Sequence, residues 1–203
     1  MIEIVRNPKK EEVASILARP AKRLDHLMDL VKEVFDNVQR NGDKALFEYT
    51  FKFDKAALGE IKVSKTELES AQHLIPQSLK DAIQTAKDNI FRFHKVQKKQ
   101  TFVMETMPGI ECWRTQVGID KVGLYVPGGS APLFSTVLML GIPAKIAGCQ
   151  KIVLCTPPSV DGSIHPAILY AASLVGIEDI YKVGGIQAVA AMSIGTETIP
   201  SVY

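Results

Sequence analysis

Apolar residues in the first part of the chain recur at every third or fourth position, and this spacing predicts amphipathic helices. The longest periodic stretches are residues 8–18, 24–42 and 77–98. The predicted buried stripe of the second is Leu24, Leu27, Leu30, Val31, Val34 and Val38, and that of the third is Leu79, Ile83, Ala86, Ile90 and Phe93. Gly42 is a residue at which the second of these helices can end, and Asp43 can cap a further one. Ser64 followed by Glu67 forms a capping-box pattern at another helix start. The first part of the chain is therefore predicted to be mostly helical, with two strands around the turn at residues 108–109.

A different pattern begins at Val117, where short apolar runs alternate with helices of small residues. The predicted strands start 29 and 28 residues apart, and each is followed by a helical stretch. Strands that alternate with helices in this way form right-handed βαβ units and a parallel sheet. The predicted strands are residues 122–126, 151–155 and 179–183, and the predicted helices are residues 133–148, 165–176 and 184–196.

Charge density falls sharply between these two parts of the chain. Residues 1–116 hold 20 Lys or Arg and 17 Asp or Glu, whereas residues 117–203 hold 4 and 5. Helices cover both faces of a parallel sheet, so its strands are apolar without alternation. We therefore predict two regions. Residues 1–116 form a helix-rich region with a β-hairpin, and residues 117–203 form a region built on the parallel sheet.

Composition excludes several classes of protein. The formal net charge is +2, and no basic run is interleaved with aromatic residues, so a nucleic-acid partner is not expected. No apolar run reaches the ~18 residues of a membrane span, and the N-terminus lacks a signal-peptide pattern. Because the three cysteines, Cys112, Cys149 and Cys155, are scattered, we expect a cytoplasmic protein with reduced, structural thiols.

Two glycine pairs follow predicted strands. They lie in VPGGSAP, residues 126–132, and in VGG, residues 183–185. Neither segment has the spacing of a Rossmann loop or a P-loop. Both nevertheless lie at carboxyl ends of parallel strands, where open α/β sheets bind ligands and free N–H groups can hold an anion. Tight turns without a ligand explain the same glycines, so the loops alone leave both interpretations open.

Two side chains at this edge favour a ligand site. Tyr125 lies near the end of the first strand, where an aromatic ring with a polar tip can contact a base or a ribose; a core tyrosine with a satisfied hydroxyl is the alternative. Gln187 lies in the first turn of the last helix, in an otherwise apolar stretch. The four histidines are scattered, and no triad, carboxylate pair or metal-ligand cluster can be assigned. The residues predict a binding platform without a catalytic group.

Three segments resemble the histidinol dehydrogenase family. The most specific similarity lies in residues 121–149, KVGLYVPGGSAPLFSTVLMLGIPAKIAGC. The next lies in residues 179–202, DIYKVGGIQAVAAMSIGTETIPSV, and the third in residues 38–54, VQRNGDKALFEYTFKFD. The resemblance covers nearly the whole chain. It implies an α/β fold with a helical N-terminal region followed by an incomplete Rossmann-like parallel βαβ domain.

The resemblance also implies an activity. Family members oxidise L-histidinol to L-histidine in two NAD-dependent steps through an aldehyde, and they are homodimers with a catalytic zinc. By their positions in the shared motifs, Tyr125 and Gln187 are expected to contact NAD. The resemblance places the zinc ligands, the acid–base pair and the histidinol contacts beyond Tyr203. We therefore predict no catalytic or metal-binding residue in this chain, and we expect an amino-terminal part of the enzyme that is inactive alone.

Two other interpretations stay open at this point. The chain can be a short interaction module that keeps the fold and some nucleotide affinity but regulates a partner without catalysis. It can also be an α/β enzyme of the aldehyde-dehydrogenase type, which requires a nucleophilic cysteine in a loop beside the nicotinamide. Cys149 lies at a predicted helix end and Cys155 within an apolar strand, and neither position suits that role.

Overall fold

The computed structural model describes residues 4–18, 25–98, 101–129 and 131–203. Helices fill most of the first region and alternate with strands in the second, as predicted, and the bounds agree with the predicted ones to within a few residues. In chain order the elements are α1 (Lys10–Leu17), α2 (Asp25–Asp54), α3 (Lys65–Ser70), a 3-10 turn (Ala71–His73), α4 (Gln77–Lys95), β1 (Val103–Met107), β2 (Ile110–Trp113), β3 (Lys121–Tyr125), α5 (Phe134–Ala147), β4 (Lys151–Thr156), α6 (Pro166–Val175), β5 (Asp179–Lys182) and α7 (Gly185–Ile194).

The centre of the fold is a parallel sheet in the order β3-β4-β5. Tyr125 aligns with Cys155, and Cys155 aligns with Tyr181, so the carboxyl ends of the three strands lie at one edge. The helices α5 and α6, which connect the strands, pack on one face, and α7 packs on the other. The predicted α/β fold class is confirmed.

A short antiparallel segment extends the sheet beside β5. The N–H of Val63 donates to the carbonyl of Ile180 over 2.9 Å, and the N–H of Lys182 donates to the carbonyl of Ile61 over 2.8 Å. This segment belongs to the helical region of the chain, and its pairing was not apparent from the sequence. It joins the two predicted regions through backbone hydrogen bonds.

On the other side of the sheet, Tyr203 pairs with β3. Its N–H donates to the carbonyl of Lys121 over 2.9 Å, and its carbonyl accepts from the N–H of Gly123 over 2.7 Å, which is the pattern of a parallel pair. The chain therefore crosses from β5 to the far side of β3 by way of α7. Because α5 and α7 leave the sheet on opposite faces, the crossing produces a topological switch point, the place where open α/β sheets bind ligands.

Helices of the first region cover both faces of the sheet. On one face, Leu46 of α2 is buried in a cluster with Val153 and Tyr181 of the sheet. On the other face, Ile83 of α4 is buried in a cluster with Leu154. The residues before and after position 116 thus share two hydrophobic cores, and the division into two domains stays a prediction.

Gly42 interrupts α2 as predicted, with a backbone conformation (φ 50°, ψ −132°) that only glycine adopts without strain. The expected capping role of Asp43 takes another form. Its carboxylate accepts hydrogen bonds from the N–H and the hydroxyl of Thr198, and its own N–H donates to Glu197 over 2.8 Å. Asp43 therefore ties α2 to the loop that follows α7.

Several predicted core positions are exposed. Phe93 of α4 is 65% exposed, whereas Ile83 on the predicted stripe is fully buried. In α2, Val34 and Val38 are buried but Leu27 is not, and Leu24 lies outside the described residues. Both hairpin strands, β1 and β2, are exposed at every position. Helices in the described part of the chain are either too short or too polar to cross a bilayer.

Candidate functional site

A cleft of about 560 Å³ lies at the carboxyl edge of the sheet. Its walls are the loops that follow β3 and β4, together with the start of α7. Residues 127–129 and 131–133 form one wall and residues 156–160 the other; Ser130, in the predicted VPGGSAP loop, lies outside the described residues. The size is typical of small-molecule sites, and the position is the one expected for a ligand in this topology.

Tyr125 lines this cleft and links two of its elements. The N–H of Gly185 donates to the Tyr125 hydroxyl over 3.0 Å. Gly185 is the first residue of α7, so its N–H has no acceptor within the helix, and the tyrosine oxygen satisfies it. This contact uses the oxygen as an acceptor and leaves the hydroxyl proton to be donated, which a ligand in the cleft can use.

Gln187 lies directly beside the same glycine. A Cβ added at Gly185 would lie 2.8 Å from the Gln187 Oε1 atom, and the glycine has a left-handed φ of +64°. The amide of Gln187 therefore folds back over the first turn of α7, close to the contact with Tyr125. Gln187 is only 2% exposed and is not among the described residues that line the cleft, so its contact with a cofactor stays a prediction.

The glycine pairs allow close packing of the three loops. A Cβ at Gly128 would lie 2.7 Å from Pro157, and a Cβ at Gly184 would lie 2.5 Å from the same proline. Pro157 follows β4 and is thus held between the loops that follow β3 and β5. Gly129, by contrast, has no atom within 4 Å of its Cβ direction. Glycine at positions 128 and 184 therefore lets both loops approach the ring of Pro157 closely.

Replacing Gly184 by alanine is expected to lower the free energy of unfolding by about 1–3 kcal/mol, because the new methyl group would overlap the rigid ring of Pro157. The matched control is Gly129→Ala, which enters open space and should change stability by less than about 0.5 kcal/mol. Urea unfolding followed by circular dichroism measures both. Equal stabilities for the two variants would contradict the packing role assigned to Gly184.

Asp54 lines the cleft and was not predicted from the sequence. It is the last residue of α2, and its Oδ2 atom is shielded from solvent without a hydrogen-bond partner among the described residues. Burial raises the pKa of this carboxyl above the usual 3.8. Since folding disfavours its ionised form, the group lowers stability progressively as the pH rises from the usual aspartate pKa to the raised pKa of the folded state, and by a constant amount above it. The sequence signal that could have revealed Asp54 is its position as an acid in the last turn of a helix, where the helix dipole disfavours a negative charge.

The other reactive side chains have structural roles. His165 lines the cleft, but its Nδ1 accepts a hydrogen bond from the N–H of Ala167 over 3.2 Å and so caps α6. Cys155 is fully buried, and burial raises the pKa of its thiol to about 12; Cys149 is half-buried just after α5. Neither cysteine is among the described residues that line the cleft, which disfavours the aldehyde-dehydrogenase interpretation.

A second cavity, of about 770 Å³, lies where α4 and α5 end and the chain enters β3. Its lining combines basic side chains such as Lys95 and Arg114 with apolar ones such as Phe102. None of the predicted site residues lies there, and the cavity is at the amino edge of the sheet. The smaller cleft is therefore the better candidate site, since its position at the carboxyl edge of the sheet and Tyr125 in its lining both favour it.

The family model of histidinol dehydrogenase matches residues 17–203. The chain belongs to the histidinol dehydrogenase family. The resemblance found in the sequence is thereby confirmed, and residues 121–149 and 179–202, which carried it, lie within the matched range and include the two loops that lead from β3 and β5 into the cleft.

Relatives of known name support the same assignment. A histidinol dehydrogenase of Bacteroides thetaiotaomicron is 52% identical over 203 residues, which are 100% of this chain and 47% of that protein. A histidine biosynthesis trifunctional protein of Komagataella pastoris is 46% identical over 97% of this chain and 23% of its own length. The crystal structure of histidinol dehydrogenase from Elizabethkingia anophelis superimposes with a TM-score of 0.92 at 51% identity, covering 97% of this chain and 45% of that one. The chain thus spans about half the length of histidinol dehydrogenases that it matches.

Proposed function

We propose that this chain supplies the NAD-binding part of a histidinol dehydrogenase, an enzyme that oxidises L-histidinol to L-histidine through the aldehyde with two NAD. The observation that carries the proposal is the cleft at the switch point, where the Tyr125 hydroxyl and the first N–H of α7 meet over 3.0 Å. Membership in the family supports the reaction, and the position of the cleft at the carboxyl edge of the sheet supports the location. Homodimerisation of the complete enzyme belongs to the same proposal.

The residues at the cleft suit a dinucleotide. Tyr125 offers a hydroxyl proton and an aromatic ring, and the start of α7 offers the positive end of a helix dipole, which favours phosphate groups. Asp54 offers an acceptor for hydroxyl groups. When bound, NAD would supply the hydride acceptor for an alcohol or aldehyde oxidation. The chain's own part is to bind and orient it.

Zinc does not fit the described residues in the same way. Among the side chains that the structure describes, no three from His, Cys, Asp or Glu come together as a metal would require. The resemblance places the zinc ligands beyond Tyr203, and we propose that they belong to that part of the enzyme. No step of the reaction is therefore assigned to a metal here.

Titration of the 203-residue chain with NAD by isothermal calorimetry tests the proposal directly. We expect saturable binding, and Tyr125→Phe should weaken it by about 2–10-fold, because the variant loses one neutral hydrogen bond. Tyr203→Phe is the matched control, since that side chain is 90% exposed at the far side of β3. An absence of saturable binding by the unmodified chain would contradict the proposed role of the cleft.

A turnover assay, unlike this titration, separates the enzyme proposal from the regulatory interpretation. Both predict nucleotide binding, but only the enzyme proposal predicts that this chain, joined to the remaining sequence of a longer relative, turns over histidinol. The Bacteroides thetaiotaomicron relative, which is 52% identical over 203 residues, is suited to this comparison.

A further inference from the structure

Asp54 has the features of a residue kept for binding. It ends α2, where the negative end of the helix dipole disfavours a carboxylate. Its Oδ2 atom is shielded from solvent and has no hydrogen-bond partner among the described residues. A buried unpaired carboxylate oxygen lowers stability, and no contact among the described residues accounts for an acid at this place.

The cations nearest in sequence to Asp54 are engaged elsewhere. The Lys55 ammonium donates to the carbonyl of Lys52 over 2.9 Å, which satisfies the end of α2. The Lys52 ammonium lies 5.3 Å from the centre of the Phe53 ring. Asp54 is therefore not neutralised by an ion pair with either neighbour, and its carboxylate remains available to hydrogen-bond donors that enter the cleft.

A dinucleotide-binding fold normally places an acid near this position by another route. In Rossmann domains an Asp or Glu about 20 residues beyond the glycine loop accepts hydrogen bonds from the ribose hydroxyls. Here no Asp or Glu occurs between residues 121 and 160, and β4 ends in Thr156 followed by two prolines. The next acid, Asp161, already accepts hydrogen bonds from the N–H and hydroxyl of Ser163. Asp54 is the one carboxylate among the described residues that line the cleft.

We propose that Asp54, supplied by α2, takes the place of this missing acid: its carboxylate accepts hydrogen bonds from the adenosine ribose hydroxyls of a bound dinucleotide and excludes a 2′-phosphate. The inference rests on the proposed NAD-binding role of the cleft. The torsion between Cβ and Cγ of aspartate is broad and roughly two-fold, so rotation can present either oxygen to a vicinal diol. Repulsion between two negative groups makes Asp54 a determinant of NAD over NADP.

The test compares the affinity of the 203-residue chain for NAD, for NADP and for NAD lacking the adenosine 2′-hydroxyl, by calorimetry. We expect the unmodified chain to prefer NAD over both analogues. Asp54→Asn keeps the shape but removes the charge, and it should reduce the preference for NAD over NADP by about tenfold or more, because a hydrogen bond to a charged group is lost and the repulsion of phosphate is relieved. In the same variant, removal of the adenosine 2′-hydroxyl from NAD should lower the affinity by a smaller factor than it does in the unmodified chain.

Two further variants complete the experiment. Asp36→Asn makes the same chemical change at an exposed position of α2 and should leave all three affinities unchanged. Asp161→Asn tests the other acid near the cleft. If the unmodified chain binds NAD but Asp54→Asn keeps the full preference over NADP, or if Asp161→Asn removes that preference instead, this inference is wrong while the proposed function stands. If the unmodified chain binds no NAD, the proposed function and the inference both fail.

Discussion

The purified 203-residue chain is expected to form no NADH from NAD and L-histidinol above the rate without enzyme. Three titratable side chains are among the described residues that line the cleft, and each has another role. The His165 Nδ1 caps α6, the Tyr125 hydroxyl satisfies the first N–H of α7, and Asp54 is proposed to accept hydrogen bonds from a ligand. General acid–base catalysis requires a group within about 3 Å of the proton that it moves, and under the proposed function that group belongs to the part of the enzyme beyond Tyr203. Binding of the cofactor without turnover is therefore the expected behaviour.

Absorbance at 340 nm measures this prediction, with the full-length Bacteroides thetaiotaomicron relative, of which this chain matches 47%, assayed in parallel as the positive control. Calorimetry with NAD shows in the same preparation that the chain is folded and competent to bind. Histidinol-dependent NADH formation by the short chain at a rate comparable to that of the relative would contradict the prediction, and it would require a proton-transferring group among residues 1–203.

Replacing Leu46 by alanine should lower the free energy of unfolding by about 2–5 kcal/mol. Leu46 lies in α2 and is fully buried, in the cluster that also contains Val153 of β4 and Ala188 of α7. Removal of three side-chain carbons from such a site leaves a cavity that the packed neighbours fill only in part. Because the cluster spans both predicted regions, the sheet should be destabilised together with the helix.

Amide hydrogen exchange distinguishes a core shared by the two regions from two independently folding domains. In Leu46→Ala, protection of the β4 amides should fall by the same free energy as that of the α2 amides. Phe51→Ala is the matched control on the same helix, where the ring is 63% exposed, and it should change stability by less than about 0.5 kcal/mol. Unchanged protection of β4 in Leu46→Ala would instead support the division at residues 116 and 117 into separately folding domains.

Most of the secondary structure was predictable because it depends on local patterns. The strands start 29 and 28 residues apart, and a parallel sheet with helices between its strands follows from that spacing and from the handedness of βαβ units. Gly42 was recognised as a helix interruption for an equally local reason, since its conformation (φ 50°) excludes other residues. Phe93 was misplaced because periodicity assigns a face along the whole of α4, whereas the neighbouring elements cover only part of that face.

The candidate site was predictable only in part. Tyr125 and Gly185 are 60 residues apart, and the sequence places both at the carboxyl edge of the sheet, but the 3.0 Å contact between them depends on how α7 begins. Gln187 was placed at the same edge, yet its near-complete burial came from the turn at Gly185, over which its amide folds. Asp54 was not predicted as a site residue because it enters the cleft from α2, which is far in sequence from the strands of the sheet.

The sequence alone determined the α/β class and the family, and it predicted the edge at which a ligand would bind, since these depend on periodicity and on motifs within short segments. The tertiary structure decided that residues 61–63 join the sheet beside β5, that α2 and α4 complete the cores on its two faces, and that Asp54 reaches the cleft. These features arise from contacts between distant parts of the chain, and such contacts are chosen by burial and shape complementarity of whole elements, which no local pattern encodes.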